Sequence, residues 1–300
     1  MDLPARFRDR YGPLVDDPGA LFSSLATPVP KAFRVNTLKA TPAEVADRFQ
    51  GYGLALRPVE WSPEAFVSVP EAGRTLDHFL GAIYLQELVS MLPPLVAGVS
   101  PRTRTVIDAC AAPGSKTTQC AALMANQGLL VANDVDYRRI RALKFNLEKT
   151  GAINTIITNK DVRHFPGLPA DVVLVDAPCS AEGTFRKSPE ALATWSTQGI
   201  ARHANLQRQL ILKGFDLLAP GGTLVYSTCT FAPEENEAVI DYLLRNRPAA
   251  LESIRLPGFR FSPPVREWNG RAFDPQVRRA ARVWPHENDT GGFFLAKIRA

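Results

Sequence analysis

The stretch 103-TRTVIDACAAPGSKTTQCAALMANQGLLVANDVD-136 decides the fold. TRTVIDAC reads as a short apolar strand, SKTTQCAALMANQ as a helix opening directly after Gly114, and GLLVANDVD as the next strand. The loop DACAAPGSKTTQ joins strand to helix through small residues, which lets backbone N–H groups approach an anionic or polar ligand. It is not G-x-G-x-x-G, because Gly114 stands alone and Pro113 stiffens the turn, and G-S-K-T lacks the earlier glycine of a Walker loop. Asp134 ends the following strand, about 20 residues beyond the loop, where such folds hold a ribose hydroxyl. Asp136, as a helix-opening residue, competes with it as a simple cap.

The alternation continues downstream. YRRIRALKFNLEKTG is a helix closed by Gly151, NTIITNKD and ADVVLVDAP are strands, and a long helix lies around Ile200–Leu218, terminated by Pro220 and Gly221. GGTLVYSTC is a strand, PEENEAVIDYLLRN a helix with Pro233 in its first turn, and RVWPHENDTGGFFLAKIRA two strands around a turn. Near-continuous apolar strands alternating with helices predict an α/β fold, a mostly parallel doubly wound sheet that ends in an antiparallel hairpin. Asp161 ends the third strand and Asp176 the fourth. Consecutive strands that finish in Asp or Asn-Asp along one edge point to a nucleoside-binding crevice, into which NAD and S-adenosylmethionine both fit.

Residues 1–95 read as a small α+β module and 96–300 as the larger domain. The module holds a helical stretch Pro4–Leu25, a strand in KAFRVNTLK, and a helix in TPAEVADRFQGYG capped by Thr41, with Ala43, Val45, Ala46 and Phe49 on one face. LALRPVEW and AFVSV are short strands, and a connecting helix near HFLGAIYLQELVSMLPPLVAG ends at Pro93 and Pro94.

Hydrophobic content of 45% and charged content of 22% over 300 residues are those of a soluble globular protein. No apolar run approaches the roughly 20 residues of a membrane span, and MDLPARFRDRYG has no apolar signal core. A cytoplasmic monomer without membrane association is expected. Cys110, Cys120, Cys179 and Cys229 form no C-x-x-C pair, and the four histidines show no ligand spacing, so neither metal nor disulfide framework is expected. Cys110 and Cys120 read as buried structural thiols. The net charge of +5 favours a polyanionic partner, and it is uneven: −2, +3 and +4 over successive hundreds of residues. Arg255, Arg260, Arg266, Arg271, Arg278, Arg279 and Arg282 read as solvated surface, as do Arg138, Arg139, Arg141 and Lys144 on one helix. Arg186 and Lys187 read as phosphate contacts or a solvated loop tip.

The chemistry rests on two thiols that leave strands at the ligand edge: Cys179 in VVLVDAPCSAEGTFRKSP and Cys229 in GGTLVYSTCTFAPEENE. Hydride transfer needs no pair of cysteines. Methylation of a pyrimidine at carbon 5 needs a nucleophile, because that carbon is too weakly nucleophilic in the free base. A thiolate added at carbon 6 makes carbon 5 enamine-like, an acid near ring nitrogen 3 stabilises the developing charge, and a base then removes the carbon-5 proton so that elimination frees the thiol. These residues alone do not say which thiol attacks. A Pro-Cys dipeptide carries the nucleophile in DNA cytosine-5 methyltransferases, which would select Cys179.

At the same residues the sequence resembles the Sun-type RNA 5-methylcytosine methyltransferases, which depend on S-adenosylmethionine. DACAAPGSKTTQ, NDVD, DAPCSAEGTFRKSP and YSTCTFAPEENE look like that family's motifs, and FRVNTLK, GAIYLQELVSMLPP and VWPHENDTGGFFLAKIR extend the resemblance over nearly the whole chain. It implies a class I, Rossmann-like methyltransferase domain and makes Cys229 the nucleophile, with Cys179 assisting proton removal and release of the RNA. Asp176 would hydrogen-bond the cytosine and touch the cofactor's methionine part, and Lys116 would sit near base and methyl donor. The loop Cys110, Ala111, Ala112, Pro113, Gly114, Ser115 and Lys116 would hold the methionine, Asp134 the ribose and Asp161 the adenine. The N-terminal module would help to grip the RNA. The resemblance is nearest to enzymes of small-subunit ribosomal RNA, which commonly carry a further C-terminal RNA-binding region. This chain stops at Ala300, and compact members act on transfer RNA, so either RNA is an expected substrate. The competing readings are an RNA-binding assembly factor with dispensable catalysis and a DNA cytosine-5 methyltransferase.

Overall fold

Gly12-Pro13 and Asp17-Pro18 divide the first helical stretch. In the computed structural model, which describes residues 3–300, α1 spans Ala5–Tyr11 and α2 Pro18–Leu25. Pro18 opens α2, where a missing N–H is not needed, and Asp17 caps it by accepting the Ala20 N–H at 2.8 Å. A four-stranded antiparallel sheet follows, from β1 (Ala32–Val35), β2 (Leu56–Val59), β3 (Ser62–Ser68) and β4 (Ile83–Leu85), in the order β2-β3-β1-β4. Its helix α3 (Pro42–Gly51) carries a full capping box between Thr41 and Glu44. Val45 and Phe49 are buried, whereas Ala43 is exposed, so the inward face is narrower than expected.

The stretch expected as one connecting helix is not one. A short helix α4 (Leu76–Phe79) stops before Gly81 at φ 74°, and Ile83–Leu85 then pairs with the free edge of β1. Pro93 and Pro94 do not end a helix but open α5 (Leu92–Ala97), which Gly98 closes at φ 74°. First-turn N–H groups have no intrahelical acceptor, so proline is tolerated there.

The large sheet is built from β5 (Thr105–Asp108), β6 (Leu129–Asn133), β7 (Thr155–Thr158), β8 (Ala170–Asp176), β9 (Leu218–Thr228) and β10 (Ala250–Glu252). A small ribbon, β11 (Glu267–Trp268) with β12 (Arg271–Ala272), precedes β13 (Ala281–Val283) and β14 (Phe293–Arg299). The order is β10-β14-β9-β8-β5-β6-β7, with β13 also on β14. Strands β9 to β7 run parallel, and β14 is antiparallel to β9, β10 and β13, which gives the terminal hairpin expected. The helices are α6 (Ser115–Leu123), α7 (Tyr137–Thr150), α8 (Thr197–Asp216), α9 (Glu237–Asn246) and α10 (Pro285–Asn288). Val172 and Leu174 face a core shared with α5 and α6, while Val173 and Val175 face one shared with α8 and α9. Burial of both faces is why these strands read as continuous apolar runs.

Two boundaries differ from expectation. Helix α8 ends at Asp216, and Pro220 and Gly221 lie within β9, beside the register shift between Ala170 and Val172. Helix α9 begins at Glu237, not at Pro233, because Asn236 is drawn inward by Thr228 Oγ1–H at 2.6 Å and by its own Nδ2–H donating to the Thr230 carbonyl at 2.9 Å. Phe7 and Tyr11 of α1 and Leu21 and Leu25 of α2 pack against Phe185, Trp195, Phe231 and Trp284 of the large unit. Among the described residues no helix is long and apolar enough to cross a membrane.

Candidate active site

The sheet order reverses between β5 and β8, and a crevice outside their carboxyl ends is where such a sheet takes its ligand. There the structure has a cavity of about 350 Å³, of ligand-pocket size. Its lining includes Cys110, Ala112, Asp134, Asp161, Asp176 and both Cys179 and Cys229, with apolar wall from Val162, Leu206 and Leu210. Ala111, Pro113, Gly114 and Ser115 do not line it. They shape the turn: Gly114 takes φ 105° at the start of α6, and the Pro113 carbonyl accepts Asn146 Nδ2–H at 2.9 Å.

Asp134 is buried and accepts the N–H of Ala112 at 3.1 Å and of Asp136 at 2.9 Å. Asp136 itself caps α7 through the Arg138 N–H at 2.8 Å. Arg139 is exposed, as expected, but its tip also reaches the crevice rim, with Nη1 3.3 Å from Asp134 and Nη2–H donating to the Ala112 carbonyl. Asp161 is gripped by Arg163, whose hydrogen bonds hold its carboxyl down to about 2. Asp108 is buried behind this edge, with one oxygen accepting the Thr117 hydroxyl at 2.7 Å and the other without a partner, and burial pushes it up to about 6. Carboxylates around an apolar pocket suit a nucleoside ligand that carries hydroxyls and positive charge, so the donor set fits the expected cofactor.

Lys116 is buried, and its Nζ–H donates to Asp176 Oδ2 at 2.6 Å, while the Ser227 hydroxyl donates to Oδ1 at 2.7 Å. Burial works to lower the Lys116 pKa, but Asp176 outweighs it and the net shift is upward. The Cys179 and Cys229 sulfurs stand 3.4 Å apart, both free thiols. The hydrogen bond to Cys229, then burial, then neighbouring negative charge raise the Cys179 pKa well above that of a free thiol. Cys179 therefore stays protonated at neutral pH and can donate its S–H to the Cys229 sulfur. Cys120 is fully buried in the core, as expected, whereas Cys110 reaches the cavity wall.

A second cavity of about 110 Å³ abuts the first. Asp176 and Cys229 line both, and Lys116, Glu87, Lys187 and Phe293 complete the smaller one. Glu87 was missed in the sequence, where its only signal was a charge inside the apolar run YLQELVSM; burial raises its pKa, and it accepts the Gly291 N–H at 3.0 Å. Gly183 pins this wall: its N–H donates to the Cys229 carbonyl at 2.9 Å, and a Cβ there would stand 2.2 Å from the Gly292 carbonyl oxygen.

Arg186 is not a solvated loop tip, and its donors are committed inside the protein. Its buried guanidinium donates to the carbonyls of Thr27 at 3.1 Å, Pro28 at 3.0 Å and Thr290 at 2.8 Å and pairs with Asp289 at 2.6 Å, clamping the end of α2 to the end of α10. Arg186→Met should cost about 2–3 kcal/mol in denaturant unfolding, because it strands these acceptors. The salt dependence of polyanion binding should not change; a shallower slope would return Arg186 to the phosphate-contact role. Of the C-terminal arginines, Arg282 departs from the solvated surface expected, buried against Glu237 at 2.6 Å, whereas Arg255, Arg260, Arg266, Arg271, Arg278 and Arg279 are exposed as expected.

Residues 99–299 match the family model described as 16S rRNA methyltransferase RsmB/F, and residues 3–88 match the N-terminal domain of 16S rRNA methyltransferase RsmF. The chain is 40% identical to a tRNA (cytosine(49)-C(5))-methyltransferase of Pyrococcus abyssi, over 97% of this chain and 94% of that protein. It is also 40% identical to the ribosomal RNA small subunit methyltransferase F of Vibrio cholerae, over 100% of this chain but only 64% of that relative's length. Among solved structures, a methyltransferase homolog protein from Pyrococcus horikoshii superposes with a TM-score of 0.84 at 32% identity, covering 99% of both chains.

Proposed function

This chain belongs to the 16S rRNA methyltransferase RsmB/F family, and on that premise we propose that it methylates carbon 5 of a cytosine in structured RNA, using S-adenosylmethionine. The observation that carries the reading is the pair of abutting cavities, one of nucleoside-cofactor size and one small, which share Asp176 and Cys229 as a common wall. Bound in the larger cavity, S-adenosylmethionine would supply an electrophilic methyl group on a sulfonium. Asp134 and Asp161 would hold its ribose and adenine, and Cys110 and Ala112 of the loop, with Asp176, its methionine end, while Ala111, Pro113, Gly114 and Ser115 shape the turn.

The chain's own residues divide the remaining work. The Cys229 sulfur adds to carbon 6 of the cytosine as its proton passes, by way of Asp176, to ring nitrogen 3, with the Cys179 sulfur 3.4 Å away. Asp176, oriented by Lys116 and Ser227, hydrogen-bonds the pyrimidine as charge develops on the ring. After methyl transfer, the carbon-5 proton passes to the Cys179 sulfur while the Cys179 S–H passes to the Cys229 sulfur as its bond to carbon 6 breaks, which frees both thiols. A paired cytosine must first be extruded, at a cost of a few kcal/mol, so loop cytosines are favoured. Residues 1–95 help to grip the RNA, and the enzyme acts as a cytoplasmic monomer. Ribosomal RNA of the small subunit is the leading substrate and transfer RNA the second.

Incubation with S-adenosylmethionine and unmodified 16S ribosomal RNA or transfer RNA should yield 5-methylcytosine by nucleoside mass spectrometry. Methylation of DNA in preference to both RNAs, or no methylation of any of the three, would overturn the proposal.

A further inference from the structure

Beside the two thiols lies a buried pair of carboxyl groups that the chemistry above does not use. Glu182 and Glu235 are fully buried. Glu182 accepts the Tyr11 hydroxyl at 2.7 Å and the Trp195 indole N–H at 2.8 Å on Oε1, and on Oε2 it meets the Ser180 hydroxyl at 2.7 Å and the Thr230 hydroxyl. Glu235 Oε2 accepts the Ser180 N–H at 3.1 Å and the Gln207 Nε2–H at 2.7 Å, and its Oε1 meets the Ser180 hydroxyl.

The proton count decides the state of this cluster. Ser180 Oγ has three oxygens within reach, Glu182 Oε2, Glu235 Oε1 and Thr230 Oγ1, but a hydroxyl owns one proton. Thr230 accepts the Ala232 N–H at 3.0 Å and spends its own proton on Glu182. If Ser180 also donates to Glu182, its close contact with Glu235 needs a proton that only Glu235 can bring. Glu182, with donors on both of its oxygens, is the ionised partner. Two negative charges this close in a buried site cannot both persist. Burial and the charge of Glu182 raise the Glu235 carboxyl to about 8.

We infer that Glu235 is a neutral acid that shares its proton with Glu182 through Ser180, and that this pair is the positioning element that holds Cys179 against Cys229. Ser180 follows Cys179 and Thr230 follows Cys229, so the cluster grips the chain beside each sulfur. Gln207 reinforces the grip by donating to the Pro178 carbonyl at 2.8 Å. The other ionisable groups facing the pair are Tyr11 on α1 with its neighbour Arg10, His203 on α8, Tyr226 on β9 and Cys179 itself. Burial raises both tyrosines and lowers His203, so none of the three is charged near neutral pH, and Arg10 is committed to Glu234 at 2.5 Å.

The inference rests on the reading of these thiols as the reacting pair, and its test works without turnover. In Glu235→Gln the amide carbonyl keeps the two N–H donors, and the NH₂ donates to Ser180 as the acid did. In Glu182→Gln an NH₂ group faces hydroxyl and indole donors. An ordinary carboxyl ionises near 4.5 in the unfolded chain, whereas Glu235 does so near 8 in the fold. The stabilisation it provides is thus lost as pH rises through that window. The melting temperature of Glu235→Gln minus that of the parent should climb by about 3 °C or more between pH 5 and 8, then level off. The rate at which a mild oxidant joins Cys179 to Cys229, read on peptides by mass spectrometry, reports positioning. Glu235→Gln should keep that rate, and Glu182→Gln should lose about tenfold or more. A flat melting difference would overturn the neutral acid, and equal rates in all three proteins would overturn the positioning role. If these expectations hold while no protein methylates RNA, it is the function that fails and not the pair.

Discussion

Cys229→Ala should lower RNA methylation by about 10⁴-fold or more, the scale on which enzymes lose activity when a covalent nucleophile is removed. Cys179→Ala should instead accumulate a covalent protein–RNA adduct, visible as a slower band on a denaturing gel. The asymmetry follows from the environments of two sulfurs only 3.4 Å apart. The Cys179 thiol is pushed up by its hydrogen bond to Cys229, by burial and by nearby negative charge, so it stays protonated at neutral pH and is a poor nucleophile. A thiol at that distance can pass its proton to the departing Cys229 sulfur as it takes the carbon-5 proton from the ring. Cys229 is anchored through its own carbonyl, which accepts the Gly183 N–H at 2.9 Å. Full activity in Cys229→Ala with none in Cys179→Ala would reverse the assignment. An adduct-free Cys179→Ala enzyme with normal turnover would remove the release role.

Much of this site was legible because its parts are set by short-range rules. The strand, turn and helix of residues 103–127 announce themselves by periodicity and a single glycine, and the parallel sheet then delivers Asp134, Asp161 and Asp176 to one edge without further information. What was not legible depends on partners distant in the chain. Arg186 looks like a loop cation until Thr27 and Thr290 close on it from both ends of the sequence. Glu235 sits in PEENEAVIDYLLRN, which reads as a helix and nothing more, and its partner Ser180 lies 55 residues upstream. Ile83–Leu85 is too short to declare itself a strand and becomes one only because β1 offers it an edge. Arg139 lies on one helix with other exposed arginines, and only the position of Asp134 brings its tip to the crevice rim. Local pattern specifies the scaffold and the acidic edge, whereas buried polar pairing is a property of the assembled fold.

Asp176→Asn should reduce kcat by about 10³-fold, with a smaller change in KM for RNA, because the carboxylate passes a proton to ring nitrogen 3 as Cys229 adds and then offsets the positive charge that methyl transfer leaves on the protonated ring. The carboxylate lines both cavities, so it is placed to meet the base on one side and the methyl donor on the other. Its two oxygens are already oriented, one by Lys116 at 2.6 Å and one by Ser227 at 2.7 Å, so little reorganisation is needed when the ring charge appears. Asparagine preserves the shape but removes the charge, and it leaves the Lys116 ammonium, only 8% exposed, without its counterion. That stranded cation adds a second expected effect, a lower melting temperature. Lys116→Met alone should lower kcat less, by about 10- to 100-fold, since Asp176 would keep its charge and its Ser227 contact. In the double variant the stability defect of Asp176→Asn should be partly relieved while activity stays at the level of Asp176→Asn, the non-additivity expected of two groups acting as one unit. Unchanged kcat in Asp176→Asn, or a double variant that melts below both single variants, would separate the two residues and leave Asp176 as no more than a wall between the cavities.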